Sequence, residues 1–323
     1  MAHVYLTRPL GEVVDQYSSA FGSREVRIHP DTEFPPPREE LLKAVAGAEA
    51  LITTVTDRID EEVFDAAGDQ LKVVANVAVG YDNIDLEAAA ARGITVTNTP
   101  GVLDEAVADL TLGLMLATTR RVVEADRFLR TGREWIWGPQ GYVGLDISAG
   151  ASLGIVGLGR IGMAVAKRAQ AFGMKIVATG SRATSEEAQQ LGVIPAASVA
   201  ELLPQVDVLS LHCPLTEENR HLIGAAQLQS MKPGSYLINT ARGPLVDEKA
   251  LVAALNSGHL AGAGLDVHEF EPQTDPQLRE MEQVVMLPHI GSAGGATRRK
   301  MATLALDNVL AVLNGEQPPT PVR

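Results

Sequence analysis

Cysteine is almost absent: Cys213 is the only one in 323 residues. That excludes a disulfide framework and any multi-cysteine zinc site and fits a reducing compartment, so a cytoplasmic protein is expected; no metal is expected either. Basic residues are also scarce, 27 Lys plus Arg against 40 Asp plus Glu, for a net charge of −13. Such a surface repels nucleic acid and anionic lipid, so neither is expected as a partner. No apolar stretch reaches the roughly 18 residues a membrane span requires before a charge interrupts it. The start, MAHVYLTRPL, has no basic segment leading into an apolar one, and no signal peptide is read there. Aromatics make up only 4% of the chain, which leaves the core to Ala, Val, Leu and Ile.

What is present is alternation. The length suits two domains of about 100–200 residues each. In the first hundred residues, short β-branched runs (His3–Leu6, Glu25–Ile28, Leu51–Thr53, Leu71–Ala75, Ile94–Thr97) are separated by amphipathic runs at Arg38–Ala46, Glu61–Ala67 and Leu86–Ala91. A parallel sheet covered on both faces follows from that order. Apolar residues at three-to-four spacing, Val107 to Ala125, predict one long helix over Asp104–Leu129. A second alternating series begins at Ser152 and supplies about six parallel strands, the number a dinucleotide-binding sheet uses. A last helix over Gly294–Asn314 follows the final strand and is placed to cross back onto the first domain.

Gly157-Leu158-Gly159-Arg160-Ile161-Gly162 lies between a strand and a helix. In this G-x-G-x-x-G pattern the first glycine permits the tight turn and the second lets a pyrophosphate approach the backbone. The third lets helix pack on strand, and the helix N-terminus faces the phosphates. The end of the next strand normally carries a carboxylate for the adenosine ribose. Here the chain reads Thr179-Gly180-Ser181-Arg182 instead. Ser181 and Arg182 suit a ribose phosphate, so NADP(H) is expected to be preferred, with NAD(H) still possible.

Three further segments put polar residues just past strands: Arg242, the carboxylates of Glu269 and Glu271, and His289. Ligands of open α/β sheets bind outside the carboxyl ends of the strands. These residue types suit reduction of a carbonyl beside a carboxylate. Arg242 can hold the anion with paired donors, His289 can supply the proton, and Glu271 can hydrogen-bond the far ring nitrogen of His289.

With these segments the chain resembles the D-isomer-specific 2-hydroxyacid dehydrogenases, and among them the glyoxylate/hydroxypyruvate reductases. The resemblance spans nearly the whole chain. Its motifs are Asn76–Asp85, Asn98-Thr99-Pro100-Gly101, the glycine loop, His212-Cys213-Pro214-Leu215-Thr216, Asn239–Gly243 and Pro288–Gly291. The implied fold is α/β, with two doubly wound parallel sheets. A Rossmann dinucleotide-binding domain (100–290) is inserted in a flavodoxin-like substrate domain (1–99 and 291–323). The resemblance makes Arg242, Glu271 and His289 the catalytic trio and prefers Glu271 to Glu269. It gives the substrate carboxylate to the amides of Val79 and Gly80. It gives the cofactor to Leu158, Gly159, Arg160, Ile161, Ser181, Arg182, Pro214, Thr240, Ala241, Asp266 and Gly291, with Asp266 on the nicotinamide carboxamide. The Trp135–Tyr142 stretch is similar to the glyoxylate reductases, which makes Trp137 a substrate-binding candidate. The Asp104–Leu129 region resembles the family's dimerisation helix, implying a homodimer. The expected activity is NADPH-preferring reduction of small 2-oxo acids to D-2-hydroxy acids. The rivals are dehydrogenation of D-lactate, phosphoglycerate, formate or phosphite, and a non-enzymatic NAD(H)-sensing corepressor.

Overall fold

Near-continuous apolar runs mark strands buried on both faces, as parallel strands under helices must be. The computed structural model describes residues 3–322. It divides into two compact units, one running up to Leu103 and resuming at Ala293, the other spanning Asp104–Ser292. In the first unit β1 (His3–Leu6), β2 (Glu25–Ile28), β3 (Ala48–Thr53), β4 (Val73–Asn76) and β5 (Thr95–Thr97) form one all-parallel sheet in the order β2-β1-β3-β4-β5. This is the flavodoxin-like order. β1 and β4 are buried at every position, whereas edge strand β2 is mostly exposed. Two of the crossover helices start where short acidic side chains cap them: for Glu61–Ala67 Asp60 accepts from the Val63 amide, and for Leu86–Ala91 Asp85 accepts from the Ala88 amide. The closing helix Gly295–Leu313 buries Met301, Ala302, Ala305, Leu306 and Val309 within this unit.

The second unit contains β6 (Ser152–Val156), β7 (Lys175–Thr179), β8 (Ile194–Pro195), β9 (Val208–Leu211), β10 (Ser235–Asn239), β11 (Leu260–Leu265) and β12 (Val284–Met286). All are parallel, in the order β12-β11-β10-β9-β6-β7-β8. That is the Rossmann order 3-2-1-4-5-6 with a seventh strand added beyond the sixth. The sheet therefore has seven strands where the sequence suggested six. The strand absent from the sequence reading is β8, a two-residue strand at the opposite edge from β12, and its Pro195 is tolerated there because an edge leaves one row of amides unpaired.

The single helix expected over Asp104–Leu129 is broken. Asp104–Thr119 ends, Arg121 takes a left-handed conformation (φ 54°), and Val122–Arg130 begins a second helix. The returning chain causes the break. The Leu145 amide takes the Thr119 carbonyl at 2.9 Å, and Gly144 passes so close that a Cβ there would lie 2.0 Å from that same oxygen. The apolar period continues in phase through the break, so periodicity alone does not reveal it. Among the described residues no helix is long and apolar enough to cross a membrane.

Candidate active site

The sheet order reverses between β9 and β6, and the glycine loop leaves β6 at that point. Gly157 has φ 95°, and a Cβ there would lie 2.6 Å from the Cys213 amide nitrogen. A Cβ at Gly162 would lie 2.2 Å from the Gly157 carbonyl oxygen, so this turn packs onto its helix only with glycine at both positions. Gly159 differs: nothing lies within 4 Å of where its Cβ would be, and it caps the helix Arg160–Ala171 without a side-chain acceptor. An open approach to an uncapped helix N-terminus fits a dinucleotide pyrophosphate.

The other cofactor candidates line the carboxyl ends of the strands. Leu158 is buried and donates its amide to the Thr179 carbonyl at the end of β7, while Arg160 pairs with Asp104 at 3.3 Å and Ile161 is half-buried. Ser181 and Pro214 are exposed. Arg182 is held by Glu187 at 2.5 Å. Thr240 is buried, its hydroxyl 2.8 Å from that of Thr111, with Ala241 beside it half-buried. Cys213 sits behind the loop, and burial pushes its thiol up to about 11, which suits packing rather than reactivity. His212 is pushed down to about 3 by burial and hydrogen-bonds the Ser210 hydroxyl at 2.8 Å through Nε2.

Arg242 follows β10, Glu271 follows β11 and His289 follows β12, three consecutive strands of the sheet. Asn239 sets the first turn. It accepts from the Ala241 amide at 3.1 Å and donates through Nδ2 to the Arg242 carbonyl at 2.8 Å. His289 Nδ1 lies 3.0 Å from Glu271 Oε2. A carboxylate only accepts, so Nδ1 carries a proton and Nε2 is left for chemistry. Glu271 Oε1 accepts the His268 amide at 2.9 Å. Burial pushes the Glu271 carboxyl up, but the His289 bond and charge and the His268 amide outweigh it and hold it below the usual range.

Asp266 carries more of this arrangement than the sequence suggests. It is buried, accepts the Ile290 and Gly291 amides at 2.7 Å each, and offers its own carbonyl to the His289 amide at 2.8 Å. Burial raises its carboxyl despite those two bonds. Both oxygens are thus engaged in fixing the His289 turn. Glu248 and Glu269 brace the Glu271 loop in the same manner, each carboxylate accepting the other's backbone amide, at 2.9 and 3.1 Å. His221 hydrogen-bonds Glu269 at 2.6 Å. Of these supports only the Asn239-x-Ala241 spacing of an Asx turn leaves a local sequence signal. Apart from the short-range His268–Glu271 bond, the rest join residues about twenty or more positions apart.

In the first unit, Val79 and Gly80 follow β4, and their carbonyls accept from Asn98 Nδ2 at 2.7 Å and Asn76 Nδ2 at 2.8 Å. With the Val79 carbonyl held, the Gly80 N–H of the same trans peptide points the opposite way. Trp137 is 78% exposed on the irregular segment after Arg130, so burial against the trio does not hold it.

Residues 112–291 match the family described as "D-isomer specific 2-hydroxyacid dehydrogenase, NAD binding domain". The chain belongs to that family. This dehydrogenase is an NAD(P)-dependent oxidoreductase that takes a nicotinamide dinucleotide cofactor. A "Glyoxylate reductase" from Thermococcus litoralis is 46% identical to it over 321 residues, covering 98% of this chain and 95% of the relative. A crystal structure of a Thermus thermophilus protein superposes with a TM-score of 0.91 at 49% identity, over 100% of both chains. An NADPH-dependent glyoxylate/hydroxypyruvate reductase from Sinorhizobium meliloti, solved with NADP and malonate, gives 0.83 at 33% identity, covering 99% of this chain and 96% of that one.

Proposed function

We propose that this dehydrogenase is an NADPH-preferring reductase of small 2-oxo acids, glyoxylate and hydroxypyruvate, giving in the cytoplasm the 2-hydroxy acids glycolate and D-glycerate. The observation that carries the reading is the Glu271–His289 pair at 3.0 Å on a strand end next to that of Arg242. The relatives named glyoxylate reductase support the substrate class. The bound nicotinamide supplies the hydride to the carbonyl carbon. His289 Nε2 gives its proton to the carbonyl oxygen as charge develops there, and the Glu271 carboxylate stabilises the protonated ring. Arg242 offers paired donors to the substrate carboxylate. In the first unit, the substrate domain, the Val79 and Gly80 amides are carboxylate donors too. The second unit is the nucleotide domain, in which Leu158, Gly159, Arg160 and Ile161 hold the pyrophosphate and Ser181 and Arg182 the ribose phosphate. The chain pairs as a homodimer through Asp104–Leu129 and the segment after it.

Purified protein mixed with NADPH and glyoxylate should consume the nicotinamide absorbance. No consumption across a panel of 2-oxo acids would overturn the reading. Repeating the assay with NADH and with Arg182→Asp decides the cofactor, because the variant should move the preference toward NADH.

A further inference from the structure

The strand end that lacks a carboxylate in sequence acquires one in space. Glu187, in the first turn of the helix Glu186–Gln190, lies 2.5 Å from Arg182 and 2.8 Å from Lys167. Two successive turns bring it there. The Ala183 amide bonds the Gly180 carbonyl and the Ser185 amide bonds the Arg182 carbonyl, each at 3.0 Å, and Ser185 then caps the helix. Arg182 stands beside the glycine loop, since a Cβ on nearby Gly180 would approach the Leu158 nitrogen to 3.1 Å. Arg160, Lys167, Arg182 and Glu187 line a single groove of about 200 Å³ together with Asp104 and Glu105.

We propose that Glu187 is a resident counter-ion occupying the position on Arg182 that the ribose phosphate of NADPH must take, and that it sets the strength of the NADPH preference. The proposal rests on the NADPH reading above. A phosphate monoester carries close to two negative charges against one for a carboxylate, so it displaces Glu187 from Arg182. Lys167 keeps the displaced carboxylate paired. Lys167 first and Arg182 second already hold Glu187 below the usual carboxylate range, so it is ionised and competes at neutral pH. NADH presents only a ribose hydroxyl at this position and leaves the Arg182–Glu187 pair intact. The cost of displacement therefore falls on NADPH alone. Both partners are about 40% exposed, which keeps the effect modest and salt-sensitive.

The test is steady-state kinetics of the intact enzyme with NADPH and NADH as alternative reductants of glyoxylate. Glu187→Gln should lower the ratio of KM for NADPH to KM for NADH by roughly two- to fivefold, the worth of an exposed ion pair. The gain should fade as ionic strength rises. An unchanged ratio overturns the proposal. So does a raised KM for NADH, which would make Glu187 an acceptor for the ribose hydroxyls. Arg182→Ala, measured in parallel, separates this inference from the reading beneath it. If Arg182→Ala leaves KM for NADPH where it was, the phosphate reading fails and this inference fails with it. If Arg182→Ala raises it several-fold while Glu187→Gln leaves the ratio unchanged, only the role of Glu187 is wrong.

Discussion

His289 adopts φ 55°, a left-handed conformation that few non-glycine residues hold without support. Asp266 supplies that support, through its carbonyl to the His289 amide and its carboxylate to the next two amides. The ring is thereby presented to Glu271 instead of following the strand direction. Glu271→Gln keeps the shape of the contact and removes its charge. The ring then gains less from holding a proton, and kcat for reduction should fall by about ten- to a hundredfold. The same variant tests the electrostatics. A carboxyl whose folded pKa lies below its unfolded value contributes full stability above the unfolded value, and loses it as pH falls through the folded one. Glu271 is such a group. Thermal unfolding of the wild type should therefore drop more steeply than that of Glu271→Gln between about pH 5 and pH 3. Parallel curves would mean that the His289 contact does not stabilise the ionised carboxyl.

Among the elements, Val122–Arg130 is unusual in burying none of its residues. Val122 and Leu129 are exposed on it, and Trp135, Ile136, Trp137 and Val143 are exposed on the segment that follows. That segment is tied back to the helix, with the Tyr142 ring 5.8 Å from Phe128 and under the Arg121 guanidinium at 5.2 Å. A held, apolar and uncovered surface of this kind marks an interaction site. If the proposed homodimer pairs through this surface, the wild type should scatter light with twice the chain mass, and Leu129→Asp combined with Ile136→Asp should halve it. A wild type already at monomer mass would overturn the homodimer, and a doubled mass that the variant leaves unchanged would overturn this surface as its contact. The break that creates this element was not legible, because Thr119 is capped by Leu145, a long-range contact that helical spacing does not encode. The strands were legible because parallel strands buried on both faces are near-continuous apolar runs, as in Tyr236-Leu237-Ile238 within Ser235–Asn239. Edge strand β8 was not, having two residues and one of them proline. The same division holds at the candidate site. Arg242, Glu271 and His289 are visible as polar residues past strands, whereas Glu187 reaches Arg182 from a different element.

At the scale of the whole molecule, the two units differ in how the chain closes them. The first needs both of its pieces. β5 is bridged at Thr97 to Pro321, the Val322 amide donates to the Val96 carbonyl, and Tyr17 donates to Asp307 at 2.6 Å. The second is continuous from Asp104 to Ser292, and all seven strands of its sheet come from within it. Its two apolar layers are also internal, one including Leu114, Leu153 and Val165, the other Leu209, Leu237 and Leu251. A unit whose sheet and both covering layers are local in sequence carries what it needs to fold alone. Residues 104–292 expressed by themselves should therefore unfold in one cooperative transition, and NADPH should stabilise them. At a hundredfold excess over Kd the ligand contributes about 2.7 kcal/mol, which for a unit of this size raises Tm by roughly 5–10 °C. Residues 1–103 alone, deprived of the closing helix that carries Leu306 and Val309 into this unit's core, should stay unfolded. A fragment 104–292 that melts without cooperativity would show that its folding depends on the first unit. One that folds but gains nothing from either NADPH or NADH would remove the nucleotide from this unit, and the glycine loop reading with it.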